Sequence, residues 1–499
     1  MPTRLLVATT AGVITALAFE PVTWAWLMPV GLAAYFLAVR GATPIRAAAA
    51  GGAYGLGFFG MHLIWMRTLG TDAWISITVL QTAFLVVLGV VLARLGELRR
   101  WPLWYAVAWL AGETVRGHLP FGGFTWGDLG LGVIDTPVAA WLPWVGVPGA
   151  SLVVAGLGAG LAWLLTEGRG RTATLVVVGF VVLLAVPAWV QPPRHSTGST
   201  TVALVQGDVP GDGTLVATYH YQVTRSHSDL TVRLAHDVAD GREPAPDFVV
   251  WPENSTAVDP AIDPRVRRDV TRAVAHIGRP VLIGAISDDP RDSSRVINQG
   301  IVMDPLSGAG ETYVKAHPVP FGEFVPWRGL FGKRFTEDIG LVRRDMEAGT
   351  RTTPLAIAGT KVADAICFDI AFTEPLAAEV RNGAQLVVVQ TSNATFINTR
   401  QIDQQFAMTR VRAKELGRSI AVASTNGRTG FIDADGNVVD TAQTRTKDVL
   451  VRPVRLYDSR PPSVWVGPVL GPVAVALTLL GLVFTSRAYL RRREQRRTQ

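Results

Sequence analysis

The sequence predicts a multi-pass α-helical membrane region of eight spans joined to one α/β domain on the extracytoplasmic side. Three observations carry that expectation. There are eight apolar segments of near-spanning length, arginines gather in alternate loops, and β-branched runs alternate with helical stretches between the seventh and eighth segments. Composition agrees: 48% of the 499 residues are hydrophobic, and the mean hydropathy of +0.27 is high for a soluble enzyme of this length. A formal charge of +7 raises nucleic acid as a partner. The basic residues, however, cluster beside apolar segments instead of on one face, so none is expected.

Seven apolar segments, at 5–20, 23–39, 47–66, 74–94, 101–115, 148–166 and 172–190, make up a membrane region over 1–190. The eighth, 464–486, precedes a basic tail at 487–499. Most approach the ~20 residues a helix needs to cross the hydrocarbon core. The first two are short and separated by a turn at Phe19-Glu20-Pro21. Arg40 and Arg46, then Arg94, Arg99 and Arg100, then Arg169 and Arg171 mark one set of loops, and Arg487, Arg491, Arg492, Arg493, Arg496 and Arg497 join them. The positive-inside rule puts both termini in the cytoplasm and the stretch between spans seven and eight outside. The spans show no paired interior charges of the kind a substrate pathway needs. Arg116 and Glu113 read as loop residues, and His62 and His118 as packing or interface residues.

QPPRHSTGST, 191–200, reads as a linker. Over 201–456 the strands are expected at 201–206, 247–251, 281–286, 362–368, 385–390 and 419–424, and helices near 217–239, 264–277, 371–382 and 399–417. Continuous apolar strands separated by helices indicate sheets buried on both faces.

Three polar groups follow strands of this domain: Glu253 in WPENS, Lys315 in YVKAHPVPFGEFVPW, and Cys367, the sole cysteine, after VADAI. Singly, each has a plain structural explanation as a capping acid, a surface charge or core filler. Together a carboxylate, an ammonium and a thiol supply base, oxyanion partner and nucleophile, which acyl transfer requires. No cluster has metal-ligand spacing and no Gly-rich phosphate loop follows a strand, so neither metal nor cofactor is expected.

Glu, Lys and Cys in this order, within WPEN, YVKAHPVPFGEFVPW and ICFDI, resemble the carbon–nitrogen hydrolase (nitrilase) superfamily. Seven spans before that domain and one after it resemble its membrane branch, the bacterial apolipoprotein N-acyltransferases. VALVQGDVP, TSNAT, QQFAMTRVRAKELGR and TNGRTGFID extend the resemblance along the domain. The resemblance implies an αββα sandwich facing outward from the cell membrane. It also implies transfer of an acyl chain from a phospholipid, through a Cys367 thioester, to the α-amine of a diacylglyceryl-cysteine at a lipoprotein N-terminus. Glu253 is then the general base, Lys315 the oxyanion partner, Cys367 the nucleophile and Glu323 a second acid that orients the lysine.

The sequence departs from that family's pattern near the nucleophile, where Cys-Tyr-Glu is replaced by Cys367-Phe368-Asp369. Leu215 stands where a tryptophan is common, and Asn393 is followed by Ala394-Thr395-Phe396 instead of Asp-x-Trp. Phe324, Trp327, Leu330, Phe331 and Phe335, within 324–341, suggest a lipid-touching lid, although an ordinary packed loop accounts for them equally well. His317 is expected to order the loop after the lysine. Because both substrates carry acyl chains, each exposed CH₂ would cost about 0.8 kcal/mol, which gives the membrane region its purpose. Competing readings are a membrane-tethered amidase using the same triad and a transporter or scaffold bearing an inactive hydrolase-like domain.

Overall fold

The computed structural model describes residues 1–211, 213, 219–329 and 342–497. The chain divides into two units, Met1–Pro192 with Trp465–Gln499, and Pro193–Val464.

The first unit is helical: α1 (Pro2–Ala16), α2 (Met28–Val39), α3 (Pro44–His62), α4 (Thr71–Leu95), α5 (Trp101–Arg116), α6 (Leu142–Thr166) and α7 (Gly170–Trp189). Among the described residues, four helices are long and apolar enough to cross a membrane: Thr71–Leu95, Pro137–Thr166, Gly170–Trp189 and Ser463–Arg487. The remaining expected spans are helices of 15, 12, 19 and 16 residues. Small residues set their packing: a Cβ on Gly12 would lie 2.2 Å from the Tyr54 carbonyl oxygen, and one on Gly51 2.0 Å from that of Leu85. Such backbone-to-backbone approach is how apolar helices gain van der Waals contact where lipid offers no hydrophobic drive.

The expectation of no interior charge pair is overturned. Arg116 and Glu113 lie buried in the last turn of α5. Arg116 pairs with Asp128 and donates to Gln81 Oε1 (3.2 Å) and to the carbonyls of Phe124 (2.9 Å) and Trp126 (2.8 Å). Glu113 accepts from Trp109 Nε1 (2.8 Å) and Leu129 N (2.9 Å). Trp109 lies one turn back on α5 and Gln81 on α4, but Phe124, Trp126, Asp128 and Leu129 lie in the chain beyond the helix, where periodicity could not reveal them. The cluster satisfies the Phe124 and Trp126 carbonyls and the Leu129 N–H, backbone groups that need partners once buried.

The second unit holds two six-stranded sheets. The first has the order β12-β1-β2-β3-β4-β5, with β1 Ser196–Gln206, β2 Phe248–Val250, β3 Val281–Asp289, β4 Asp292–Asp304, β5 Gly308–Val314 and β12 Asp448–Tyr457. The second runs β11-β10-β9-β8-β7-β6, with β6 Leu355–Ile357, β7 Thr360–Ile366, β8 Leu386–Thr391, β9 Ile420–Ser424, β10 Gly430–Ile432 and β11 Val438–Thr441. Alternation decides which side chains meet. Val202, Leu204, Val250 and Leu282 of one sheet pack against Val362, Ile366, Leu386 and Val388 of the other. Their neighbours Ala203, Val205, Val249 and Ile283 face outward onto α8 (His220–Ala239) and α9 (Pro264–Ile277). Ala363, Val387 and Val422 likewise meet α10 (Glu374–Arg381) and α11 (Arg400–Leu416). The result is four layers, helix–sheet–sheet–helix.

Two boundaries differ from expectation. Ser196–Thr200, read as linker, are strand: Ser196 is in register with Tyr457 and Thr200 with Val454. Their side chains are mostly exposed, so a polar composition masked backbone pairing. The last helix, α12 (Ser463–Arg497), continues through most of the tail placed at 487–499.

Candidate active site

Three strand ends supply the site. Glu253 follows β2, Lys315 follows β5, and Cys367 opens a 3₁₀ turn, Cys367–Ala371, directly after β7. Gly284 on β3 makes the first placement possible, since a Cβ there would lie 2.3 Å from the Pro252 carbonyl oxygen and 2.7 Å from Glu253 Cα. Cys367 has φ +51°, a left-handed conformation that a side chain adopts at a cost of about 1–2 kcal/mol. The chain thereby turns sharply from strand into the 3₁₀ turn.

Lys315 is 1% exposed and its ammonium sits between two carboxylates, 3.2 Å from Glu253 Oε1 and 2.7 Å from Glu323 Oε1. Asn298 Nδ2 donates to Glu253 Oε1 (2.8 Å) and reaches Glu323 Oε1 at 3.4 Å, and Ser392 N donates to Glu253 Oε2 (2.8 Å). Glu323 Oε2 accepts from Val319 N (2.7 Å), which closes the loop after the lysine onto its own acid. Burial disfavours the lysine's charge, but Glu253 and Glu323 outweigh it and hold Lys315 well above the ordinary lysine value. Burial also pushes Glu323 above the usual carboxylate range, against the opposing pull of Lys315.

Cys367 is partly exposed, unlike the buried lysine beside it. Burial pushes its thiol up to about 12, Glu253 adds to the rise, and Lys315 opposes it. A thiol so placed rests protonated and needs a base to take its proton as it attacks.

The supporting residues divide by what they touch. Asp369 accepts from Tyr313 OH (3.0 Å), Ala316 N (3.3 Å), His317 N (2.8 Å) and Ile366 N (3.2 Å), so it ties the lysine loop to the end of β7. Burial would raise its pKa, but the His317 ring 3.3 Å away and Lys315 bring it below the ordinary value. His317 also stacks on Phe372, centroids 3.8 Å apart, and Phe368 packs edge-on against the same ring at 5.2 Å. Asn393 does not reach the Glu253–Lys315 cluster; it bonds Gln401 (3.1 Å) and Gln405 (2.7 Å). Of the expected lid, Trp327 is exposed and Phe324 half-buried. Leu330, Phe331 and Phe335, like Leu215, lie outside the described residues. Among the described residues no group of three or more His, Cys, Asp or Glu is arranged to hold a metal ion.

Sequence reasoning missed Asn298, Tyr313 and Gln405. Asn298 lies in β4, a strand whose polar first half, DSSR, hid it. Gln405 stood inside a quoted motif without a role.

The carbon-nitrogen hydrolase family matches residues 202–461, and the apolipoprotein N-acyltransferase N-terminal domain family matches residues 11–160. The apolipoprotein N-acyltransferase of Mycolicibacterium smegmatis is 30% identical, over 95% of this chain and 84% of its own length. That of Methylococcus capsulatus is 31% identical over 89% of each chain. The chain belongs to the apolipoprotein N-acyltransferase family. It is a membrane protein with a helical region and a nitrilase-like α/β domain. Among solved structures, an amidase from a Nesterenkonia species aligns with 14% identity and a TM-score of 0.35, over 55% of this chain and 95% of that one. A nitrilase-superfamily protein of Saccharomyces cerevisiae aligns with 14% identity and a TM-score of 0.38, over 54% and 93%.

Proposed function

We propose that this apolipoprotein N-acyltransferase family member N-acylates lipoproteins, drawing the acyl chain from a phospholipid through a thioester on Cys367. The observation that carries the reading is the lysine ammonium clamped between two carboxylates beside the single, partly exposed thiol. Glu253 takes the Sγ proton as sulfur attacks the ester carbonyl of the phospholipid. Lys315 offsets the charge that grows on the carbonyl oxygen, an interaction that acts mainly in the transition state. When the intermediate collapses, the glycerol oxygen leaves with the proton held by Glu253, and a lysophospholipid departs. The α-amine of a diacylglyceryl-cysteine then attacks the thioester. Glu253 takes the amine's proton, the amide forms, and the thiol is restored.

Glu323 is assigned to holding Lys315 in place, Asp369 to anchoring the lysine loop, and Phe368 and Asn393 to packing and bonding around the nucleophile. Eight spans, both termini in the cytoplasm and the catalytic domain outside the cell membrane complete the reading, supported by the arginine distribution between loops.

The test is intact-mass measurement of the full chain in detergent with phospholipid alone, beside Cys367→Ala. A gain of one acyl chain, removed by hydroxylamine and absent from the variant, is expected, with discharge on adding a diacylglyceryl peptide. No adduct with any phospholipid, together with hydrolysis of small amides, would replace this reading with a tethered amidase.

A further inference from the structure

We propose that Gln405 is a positioning residue for the nucleophile, its side-chain amide N–H held against Cys367 Sγ by a relay that begins at the backbone of Gly427. The inference rests on the reading of Cys367 as nucleophile and adds a donor to it beyond Lys315.

The geometry is directional. Gln405 lies on α11, is 4% exposed, and its Nε2 stands 3.6 Å from Cys367 Sγ. An amide has two ends, and which faces sulfur decides whether the thiolate is helped or hindered. Here the assignment follows from the hydrogen-bond network around Asn393. Gly427 N donates to Ser424 Oγ (2.9 Å), and the Ser424 hydroxyl donates to Asn393 Oδ1 (2.8 Å). Asn393 presents Nδ2 on its other side, and it donates to Gln405 Oε1 at 2.7 Å. Thr391 Oγ1 (3.2 Å) and Gln401 Nε2 (3.3 Å) reach the same oxygen. With the Asn393 and Gln401 amide N–H groups both on Oε1, the end left for sulfur is the donor.

The relay is also kept tight: a Cβ on Gly427 would lie 2.2 Å from Asn393 Oδ1. Gln405, Asn393 and Ser424 are buried, and only the sulfur at the end of the relay is partly exposed. A neutral thiol is a weak acceptor and a thiolate a strong one, so a fixed N–H here favours the charged form, in a site whose burial otherwise opposes it. Asn393, which does not touch the cluster of Glu253 and Lys315, thereby gains a purpose: it orients Gln405.

Because the chain has one cysteine, the rate of iodoacetamide alkylation against pH reports Cys367 alone. The full-length protein in detergent is compared with Gln405→Glu, which keeps the shape and the Oε1 acceptor but replaces the donor, and Gln405→Met, which removes the donor without adding charge. A hydrogen bond to a charged acceptor is worth about ten- to a hundredfold in an equilibrium. Both variants should therefore shift the alkylation midpoint upward by about one unit or more and slow alkylation at fixed pH about tenfold. Midpoints within about 0.3 unit of wild type in folded variants would overturn the proposal, because a role in packing alone leaves the profile in place. If Gln405→Met fails to fold, the neutral Gln405→Leu takes its place, because a carboxylate at 405 would raise the midpoint by its charge alone. Thioester formation by the wild-type chain is measured in parallel: its absence sinks the nucleophile reading, whereas an unmoved alkylation profile sinks only the role of Gln405.

Discussion

Replacing Lys315 by Met tests the centre of the site, since methionine nearly fills the same volume while removing the charge. In water such a pair is weak, but Lys315 is 1% exposed, with carboxylate oxygens at 2.7 and 3.2 Å. At an effective dielectric of ~20, each contact is worth about 5–6 kcal/mol in gross attraction. Most of that offsets the desolvation of the three groups, so removing the lysine leaves a net cost of about 3–5 kcal/mol from uncompensated buried carboxylates. For a domain of this size that lowers the melting temperature by about 10 °C.

The cost depends on pH in a defined direction. Wild-type Lys315 has its pKa raised by folding, so its contribution is complete below the unfolded lysine value and lost only as pH rises through the higher folded one. It is therefore constant between pH 5 and 8. In the variant, Glu323, already raised by burial, loses the opposing ammonium and rises further. As pH falls from 8 toward 5 it takes up a proton and the penalty is relieved, so the gap in melting temperature should narrow. Acylation should slow by more than the ~10²–10³-fold typical of one lost oxyanion donor, because Lys315 also lowers the Cys367 pKa. Single-turnover acylation by phospholipid, followed by intact mass, measures this. A rate within about tenfold of wild type, or a melting gap that fails to narrow, refutes the argument.

Two further substitutions separate positioning from chemistry. Asp369→Asn turns a carboxylate that accepts from four donors into an amide whose NH₂ opposes either the His317 N–H, at the Oδ1 position, or the Tyr313, Ala316 and Ile366 donors, at Oδ2, and should destabilise by about 2–4 kcal/mol at pH 7. Folding lowers the Asp369 pKa, so its contribution is present above ~4 and lost as pH falls through the lower folded value. Denaturation of wild type and variant should accordingly converge in acid, and a pH-independent difference would contradict the assignment. Gly284→Ala places a Cβ 2.7 Å from Glu253 Cα and should displace the base. Acylation is expected to fall by ~10²-fold while the Cys367 alkylation midpoint shifts far less, and an unchanged acylation rate would remove Gly284 from the site.

The sequence was most informative where one residue's environment depends on near neighbours. Runs such as LVVVQ and VLIGAI marked β8 and β3 because strands buried on both faces need apolar residues at every position. VRRDVTRAVAHI showed α9 by its helical repeat. Glu253, Lys315 and Cys367 drew notice through residue type and place, each following a strand end. Ser196–Thr200 escaped because backbone pairing to β12, some 250 residues away, leaves no mark on exposed side chains. β4 escaped for a related reason, as its exposed first half read as loop.

Contacts between distant residues belonged to the tertiary structure alone. Asn298 and Lys315 reach the same two carboxylates from adjacent antiparallel strands, and Asp369 holds a loop 52 residues away. Arg116 meets Asp128 in irregular chain, and Gln405 meets Cys367 across two elements. A periodic pattern records which face of an element is buried; it does not record which polar group will arrive opposite. The sequence therefore determined the elements and the reactive residue types, while the fold decided the hydrogen-bond partners that give each of those residues its charge, orientation and reach.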